Sequence, residues 1–405
     1  MASYEEFNLL APFDRRREDL FVRAEGAAYQ TAGGRQVLDL NEMRVVLGQN
    51  NAAFQQRMAQ ALSEITAPKD GVSTAKEELF RRLDETTGGR FCAAHLTSSG
   101  SEAVEWAVRL AKKLTGRTEV LSFWNSIHGR TYLSASISGL PKRKAGHGVL
   151  APGTVFLPYP NCAHCPIGTC PGRCGFACLE LAEQIYTSAS AQDAAAVILE
   201  PCQGAGVVLP PAGWLQQFQN WARSKGALLI IDEIQSGMGR SGWMYLYQRE
   251  GLEPDMLLLG KALGNGLHIA ALLVRERPAA EALAALSGGA GDDPLACTAA
   301  CEVFRQLEAG LLDHVRSTGE LLCGGLKALE GHPLVRECRG IGLAAAMEFQ
   351  NKQICDQVIA HLEERGYLPG QLGPALYCKP PYVITRDQVQ GFLSALEDVL
   401  QEFPA

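Results

Sequence analysis

The chain has 405 residues, and 47% of them are hydrophobic. This is enough apolar material for one large core and a smaller second one. The formal net charge is −7, and the basic residues are scattered or lie in short clusters such as 15–17 and 142–144, which we interpret as solvated surface. The sequence therefore excludes an extended basic surface for nucleic acid, and no uncharged apolar run has membrane-spanning length.

The compartment can be inferred from the first residues and from the cysteine content. Residues 1–6 contain neither the basic nor the apolar region of a secretory signal, so we expect a cytoplasmic protein. In that setting the thirteen cysteines predict reduced thiols or metal ligands rather than a disulfide scaffold.

The first third of the chain is predicted to form a short N-terminal segment followed by helices. Residues 27–40 have the pattern of a small hairpin, and apolar spacing predicts helices over 52–65, 74–84 and 103–114. Ser99, Gly100 and Ser101 precede the third helix. Small residues at a helix start expose backbone N–H groups to an anion, although an ordinary serine N-cap explains the segment equally well.

The middle of the chain alternates strands and helices. Strands are predicted at 120–124, 155–157, 195–199, 228–231 and 257–259, and a helix at 214–225. This alternation predicts an α/β fold with a mostly parallel sheet between helices. Because ligands bind at the carboxyl ends of such strands, four polar residues that follow strand ends should converge: His128, Glu200, Asp232 and Lys261.

Lys261 is the centre of the predicted site. It follows the apolar run 256–260 and precedes Gly264 and Gly266, an arrangement that suits a lysine forming a Schiff base with a bulky cofactor. Asp232 ends an earlier apolar run and could pair with a protonated pyridine nitrogen. Each feature alone is more simply a solvated charge at a strand end, but the two together favour a cofactor site.

The last part of the chain has a different character. Helices are predicted at 294–307, 311–329, 353–365 and 385–402, with a strand at 343–349. This pattern indicates a smaller α+β domain. We expect residues 1–45 to pack with that domain, 46–287 to form the large cofactor-binding domain, and 288–405 to form the small one.

Six sequence elements occur in one order along the chain. They are Ser99-Gly100-Ser101-Glu102-Ala103, His128-Gly129-Arg130-Thr131, Glu200-Pro201-Cys202-Gln203-Gly204, the run 232–242 starting Asp-Glu-Ile-Gln, Gly260-Lys261-Ala262-Leu263-Gly264-Asn265-Gly266, and Asp293-Pro294-Leu295-Ala296-Cys297. Together they resemble the class III (ω-type) aminotransferases, which have the fold-type I architecture and use pyridoxal 5′-phosphate. The likeness covers nearly the whole chain.

The resemblance implies a role for each element. Lys261 would form the internal aldimine and move the proton, Asp232 would hold the pyridine nitrogen protonated, and Gln235 would bond the phenolic oxygen. Gly100 and Ser101 would bind the phosphate. The other residues expected around the cofactor are Ser99, Ile127, His128 and Glu200. The resemblance also implies a homodimer with the active site at the interface.

Four positions depart from the family pattern. Ile127 replaces a stacking aromatic residue, and Gly289 replaces a threonine that reaches the phosphate. Ala205 and Tyr377 replace a glutamate and an arginine that act together as a carboxylate switch. Losing only the arginine would leave a buried carboxylate unpaired at a cost of several kcal/mol, whereas losing both avoids this cost. Either another cation binds a substrate carboxylate, with Arg130, Arg240 and Lys379 as candidates, or the substrate lacks it.

Five cysteines crowd the loop 158–178. They are Cys162, Cys165, Cys170, Cys174 and Cys178. Their spacing suits zinc or an iron–sulfur cluster, while free thiols and disulfides remain alternatives.

The sequence thus predicts an aminotransferase that moves an amino group from a primary amine or amino acid to a carbonyl acceptor, by way of pyridoxamine phosphate and without the usual Glu/Arg switch. An epimerase, aminomutase or decarboxylase on the same fold is the alternative, and a non-catalytic binding protein is a third. Small amine and carbonyl substrates are the expected partners, with no nucleic acid and no membrane.

Overall fold

The computed structural model describes residues 20–64, 72–165, 167–168, 174–286 and 293–403. The strands within these ranges are β1 (Phe21–Glu25), β2 (Ala28–Thr31), β3 (Gln36–Asp39), β4 (Ala93–Thr97), β5 (Glu119–Phe123), β6 (Thr154–Leu157), β7 (Ala194–Leu199), β8 (Leu228–Asp232), β9 (Met256–Leu259), β10 (Ala270–Val274), β11 (Val335–Ile341), β12 (Ala344–Phe349), β13 (Tyr367–Leu368), β14 (Gly370–Leu372) and β15 (Ala375–Cys378).

The helices lie between these strands and on the surface of the molecule. They are α1 (Ala52–Glu64), α2 (Thr74–Thr87), α3 (Gly100–Thr115), α4 (Tyr132–Ser136), α5 (Ala177–Ala189), α6 (Trp214–Ser224), α7 (Leu246–Arg249), α8 (Arg277–Leu286), α9 (Pro294–Gln306), α10 (Leu312–Ala328), α11 (Lys352–Glu364) and α12 (Arg386–Gln401). In the part of the chain that the structure describes, no helix is long and apolar enough to cross a membrane.

The central sheet has the order β4-β10-β9-β8-β7-β5-β6. The pairs from β9 through β8, β7 and β5 to β6 are parallel, whereas β10 runs antiparallel to both β4 and β9. The strands β7, β9 and β10 are buried at every position. A strand buried on both faces needs apolar residues throughout, which explains the uninterrupted apolar runs of the sequence.

Successive side chains of these strands face opposite layers. In β8, Leu229 and Ile231 belong to one hydrophobic cluster and Ile230 belongs to the other. The first layer contains α6 through Trp214 and Phe218, and the second contains α3. The period-2 alternation of a strand therefore places the sheet between two helical layers.

Two smaller sheets flank this body. One has the order β1-β2-β3-β13, so the N-terminal strands pair with a strand from the last part of the chain through Leu38 and Tyr367. The other has the order β11-β12-β15-β14 and is antiparallel throughout. The predicted α/β architecture is confirmed, while the domain limits at 45 and 287 stay predictions.

The layer around Phe218 provides a test of the packing. This side chain is fully buried and lies 4.9 Å from the Trp214 ring centroid and 5.0 Å from that of Phe123. We expect Phe218→Ala to lower the free energy of unfolding by about 3–5 kcal/mol, because it leaves a cavity among aromatic rings. Leu62→Ala on α1 is the control: Leu62 is 60% exposed, so its loss should change stability by less than about 0.5 kcal/mol. Denaturant titration of both variants measures the difference, and equal losses would contradict this account of the core.

Candidate active site

A cavity of about 730 Å³ opens beside the carboxyl ends of the central parallel strands. All of the cofactor-site residues predicted from the sequence line it: Ser99, Gly100, Ser101, Ile127, His128, Glu200, Asp232, Gln235 and Lys261. The structure therefore brings together residues that are up to 162 positions apart in the chain (261 − 99 = 162).

Lys261 follows β9 and begins a short 3₁₀ turn over Lys261–Gly264. Its φ of 28° lies in the left-handed region, a strained backbone conformation for a residue with a side chain and one that clusters at functional sites. Burial lowers the pKa of its amine to about 8, against the opposing attraction of Asp232 and Glu200. A larger fraction of this amine is thus neutral near pH 7 than for an exposed lysine.

Asp232 ends β8 and is held on two sides. His128 Nδ1 lies 2.7 Å from its Oδ2, and the Ile234 backbone N–H donates to its Oδ1 at 3.1 Å. Both Asp232 and His128 are nearly fully buried, at 4% and 2% exposure. These two contacts hold the Asp232 carboxylate in a fixed position in the cavity wall.

Glu200 follows β7 and organises the backbone around it. Its Oε1 accepts from the Ile127 N–H at 2.9 Å, and its Oε2 accepts from the Gly204 N–H at 2.8 Å. Burial raises the pKa of this carboxyl group, and His128 opposes the rise. Glu200 therefore fixes two cavity-lining segments rather than reaching into the centre of the cavity.

The start of α3 forms another wall. Ser99 is the N-cap, and its hydroxyl accepts from the Glu102 N–H at 3.3 Å. The Ser101 hydroxyl accepts from the Arg130 N–H at 3.1 Å. A Cβ at Gly100 would lie 2.8 Å from Ile234 Cδ1, so only glycine fits here without displacing its neighbour. The first turn thus offers N–H groups and a hydroxyl to an anion.

Gln235 faces the cavity from the loop after β8. Its Oε1 accepts from Lys379 Nζ at 3.0 Å. A Cβ at Gly204 would lie 1.9 Å from Gln235 Nε2, so the glycine is required for the close approach of this side chain.

The structure also places three of the four departures from the family pattern. Ile127, Ala205 and Tyr377 line the cavity, and Gly289 lies outside the described residues. Among the candidate cations, Arg130 and Lys379 line the cavity. Arg240 does not: its Nη1 donates to the carbonyl oxygens of Leu343 and Pro380, and its guanidinium lies 4.6 Å from the Tyr382 ring centroid. Arg240 is therefore a structural residue.

Arg143 is a cavity residue that the sequence did not reveal. We interpreted the cluster 142–144 as solvated surface, but Arg143 lines the cavity. It lies at the end of the short 3₁₀ turn Pro141–Arg143, outside every recognisable motif, so no signal in the sequence could have found it.

The described part of the cysteine loop gives no support for metal binding. The described residues contain no group of three or more His, Cys, Asp or Glu side chains that could hold a metal ion, and Cys170 lies outside them. Cys162 and Cys178 carry free thiols. Burial, together with the nearby Cys174 and Cys165, raises the pKa of Cys162. The zinc or iron–sulfur interpretation is thus without support in the described part of the loop.

The residues present suit a pyridoxal phosphate cofactor. The cavity volume is within the range of small-molecule sites, roughly 300–1,000 Å³. A lysine of lowered pKa and a buried carboxylate line the same space, and the helix start supplies N–H groups for a phosphate. His128 Nε2 is buried with no hydrogen-bond partner among the described residues, so this nitrogen can still form a hydrogen bond with a bound group.

Comparisons with known proteins agree with this geometry. The family profile described as "Aminotransferase class-III" matches residues 14–400. An acetylornithine aminotransferase of Mycobacterium bovis is 34% identical over 394 residues, covering 93% of this chain and 90% of that protein. A diaminobutyrate–2-oxoglutarate aminotransferase of Rhizobium meliloti is 32% identical, covering 95% and 88%.

Solved structures agree as well. An amine transaminase from an uncultivated Pseudomonas species, in its PLP-bound form, superposes with a TM-score of 0.89 at 28% identity, covering 98% of this chain and 99% of that one. A thermostable omega transaminase variant from Pseudomonas jessenii gives a TM-score of 0.90 at 25% identity, covering 99% and 98%. These matches confirm the fold-type I architecture and favour transamination over the alternative reactions considered. The chain belongs to the class III aminotransferases, enzymes whose cofactor is pyridoxal 5′-phosphate.

Proposed function

We propose that this enzyme transfers an amino group from a small anionic amine donor to a carbonyl acceptor, with Lys261 as the residue that binds the cofactor covalently. The observation that carries this proposal is that Lys261 and Asp232 line one cavity together with the start of α3. Bound pyridoxal phosphate supplies an electron sink for the bonds of the carbon that carries the amino group. The protein residues bind, orient and move protons around it.

Lys261 is proposed to carry the proton. Burial lowers the pKa of its Nζ to about 8, so this amine can accept and return a proton near neutral pH without a large energetic cost. Asp232 would keep the ring nitrogen protonated. His128 would orient Asp232 through the 2.7 Å contact.

The phosphate is proposed to lie at the start of α3. Gly100 and Ser101 would bind it through backbone N–H groups and a hydroxyl, with help from the helix dipole. Ile127 would pack on the ring face through aliphatic contacts, because it offers no aromatic surface.

The substrate is proposed to carry a carboxylate. With Ala205 and Tyr377, the cavity has no Glu/Arg switch, yet the guanidinium groups of Arg130 and Arg143 line it. Neither guanidinium has a hydrogen-bond or ion-pair acceptor among the described residues, whereas Arg44, at the same cavity, pairs with Glu42. Two unpaired guanidinium groups favour a planar anion such as a carboxylate.

The working unit is proposed to be a homodimer. Trp124 and Tyr132 are 37% and 59% exposed, and they flank the segment that presents Ile127 and His128 to the cavity. Exposed aromatic residues beside a functional segment are typical of an interface.

Lys261→Ala tests the role of the lysine. We expect the rate of amino transfer to fall by at least about 10²–10⁴-fold, because the proton carrier is lost. Borohydride reduction of the unaltered enzyme, followed by peptide mass spectrometry, should place the cofactor on Lys261. Lys352→Ala, on the exposed face of α11, should leave the rate unchanged. Cofactor found on another lysine would overturn the assignment.

Arg143→Gln tests carboxylate recognition. The test compares an amino acid donor with the matching amine that lacks the carboxylate. A lost charge-assisted hydrogen bond should reduce kcat/KM for the amino acid by about 10-fold to 100-fold. The matching amine should be unaffected, and so should both donors with the control Arg277→Gln, which alters a side chain that is 88% exposed. Equal losses for the two donors would rule out a carboxylate contact.

Light scattering tests the homodimer. We expect a mass of twice 43.6 kDa for the unaltered enzyme. Tyr132→Glu should weaken the association and the binding of cofactor together, because a buried charge without a partner is costly at an interface. An active monomer at assay concentration would contradict the proposal.

A further inference from the structure

Lys379 is a second buried lysine in the cavity. It follows β15 by one residue, and strand alternation places it on the same side as Tyr377. Both side chains line the cavity, and Lys379 is only 4% exposed. Its backbone N–H donates to the Leu40 carbonyl at 2.6 Å, which anchors the start of the side chain.

The ammonium group of Lys379 has neutral partners. Nζ donates to the Gly204 carbonyl at 2.7 Å and to Gln235 Oε1 at 3.0 Å, and it lies 4.7 Å from the Tyr377 ring centroid. Among the described residues, no carboxylate is within ion-pair distance of it. A buried cation without a counter-ion is costly, so its retention calls for a reason other than stability.

The hydrogen bond to Gln235 determines which way the amide points. In its ammonium form a lysine donates and never accepts, so the atom of Gln235 that faces the Lys379 ammonium must be the oxygen. The Nε2 group is thereby directed away from Lys379, and the close packing of Gly204 against the amide limits its rotation.

We propose that Lys379 is a positioning residue that fixes the amide of Gln235, so that Gln235 Nε2 is presented as a donor to the phenolic oxygen of the cofactor. This inference rests on the proposed function, which assigns Gln235 to that oxygen. Without Lys379, the amide could present its oxygen instead, and two oxygens would then face each other. Lys379 acts through Gln235 and does not itself touch the reacting atoms.

The test uses the enzyme with its cofactor bound and follows the visible absorption of the cofactor as a function of pH. A donor to the phenolic oxygen stabilises the deprotonated form of the chromophore. Lys379→Met keeps the volume and removes the donor, so the midpoint pH of the absorption change should rise by about one unit. Lys352→Met, on the exposed face of α11, is the matched control and should leave the midpoint unchanged.

Lys379→Gln separates a donor from a charge, since a glutamine amide can still donate to Gln235 Oε1. We expect its midpoint to remain near that of the unaltered enzyme. A shift as large as that of Lys379→Met would show that the charge of Lys379 acts directly, and it would overturn the inference. This second variant also covers the case in which the methionine variant fails to fold.

A double-substitution cycle with Gln235→Leu completes the test. If Lys379 acts through Gln235, adding Lys379→Met to Gln235→Leu should produce no further shift, whereas additive shifts would overturn the inference. Failure of the proposed role of Gln235 and failure of the inference about Lys379 give different results. If Gln235→Leu alone leaves the midpoint unchanged, the assignment of Gln235 to the phenolic oxygen fails. If only Lys379→Met leaves it unchanged, the inference about Lys379 fails alone.

Discussion

The parallel alignment of β7, β8 and β9 is the constraint on which the active site depends. Leu199 pairs with Ile231, and Asp232 pairs with Leu258, so the three strands end at the same edge of the sheet. Three residues at these strand ends must therefore lie close together: Glu200, Asp232 and Lys261. Because the strands are buried on both faces, a slip of register would expose apolar side chains or bury polar ones. The same burial that stabilises the sheet thus fixes the relative positions of two carboxylates and an amine.

The sequence could predict these central elements because their composition leaves little choice. An apolar run such as 228–231, ended by an acidic residue, has the length of a strand and the chemistry of a strand end. The strands at the β4 side of the sheet were harder to predict. The antiparallel strand β10 was missed, since its Ala-Ala-Leu-Leu-Val run suits a buried helix as well as a strand. The strand β4 was missed because its Ala-Ala-His-Leu-Thr sequence has little β propensity, and its pairing with β10 decides its conformation. Helices α5 and α8 were also not predicted.

The site shows the same division between local and non-local information. Lys261, Asp232 and Ser101 could be assigned because each lies in a motif whose local geometry is set by its neighbours. Lys379 could be named as a candidate cation, but its hydrogen bond to Gln235 depends on distant parts of the chain. Arg143 was missed because the fold alone brings it to the cavity, and hydrophobic periodicity does not indicate this. Arg240 illustrates the reverse error: its place in a motif suggested substrate binding, but two backbone carbonyls and the Tyr382 ring hold its guanidinium.

The replacement of the Glu/Arg switch changes the electrostatics of the cavity as well as its shape. Ala205 and Tyr377 leave Lys379 without a carboxylate, and burial together with the charge on Lys261 lowers its pKa to about 7. The two amines therefore influence one another. Whenever the Nζ of Lys261 is neutral, the repulsion disappears and the ammonium form of Lys379 is favoured. The ammonium group of Lys379 carries three N–H bonds, so it can donate to Gln235 whichever way it is rotated. The protonation of Lys261 is thus coupled, through one neighbouring amine, to the hydrogen bonding of Gln235.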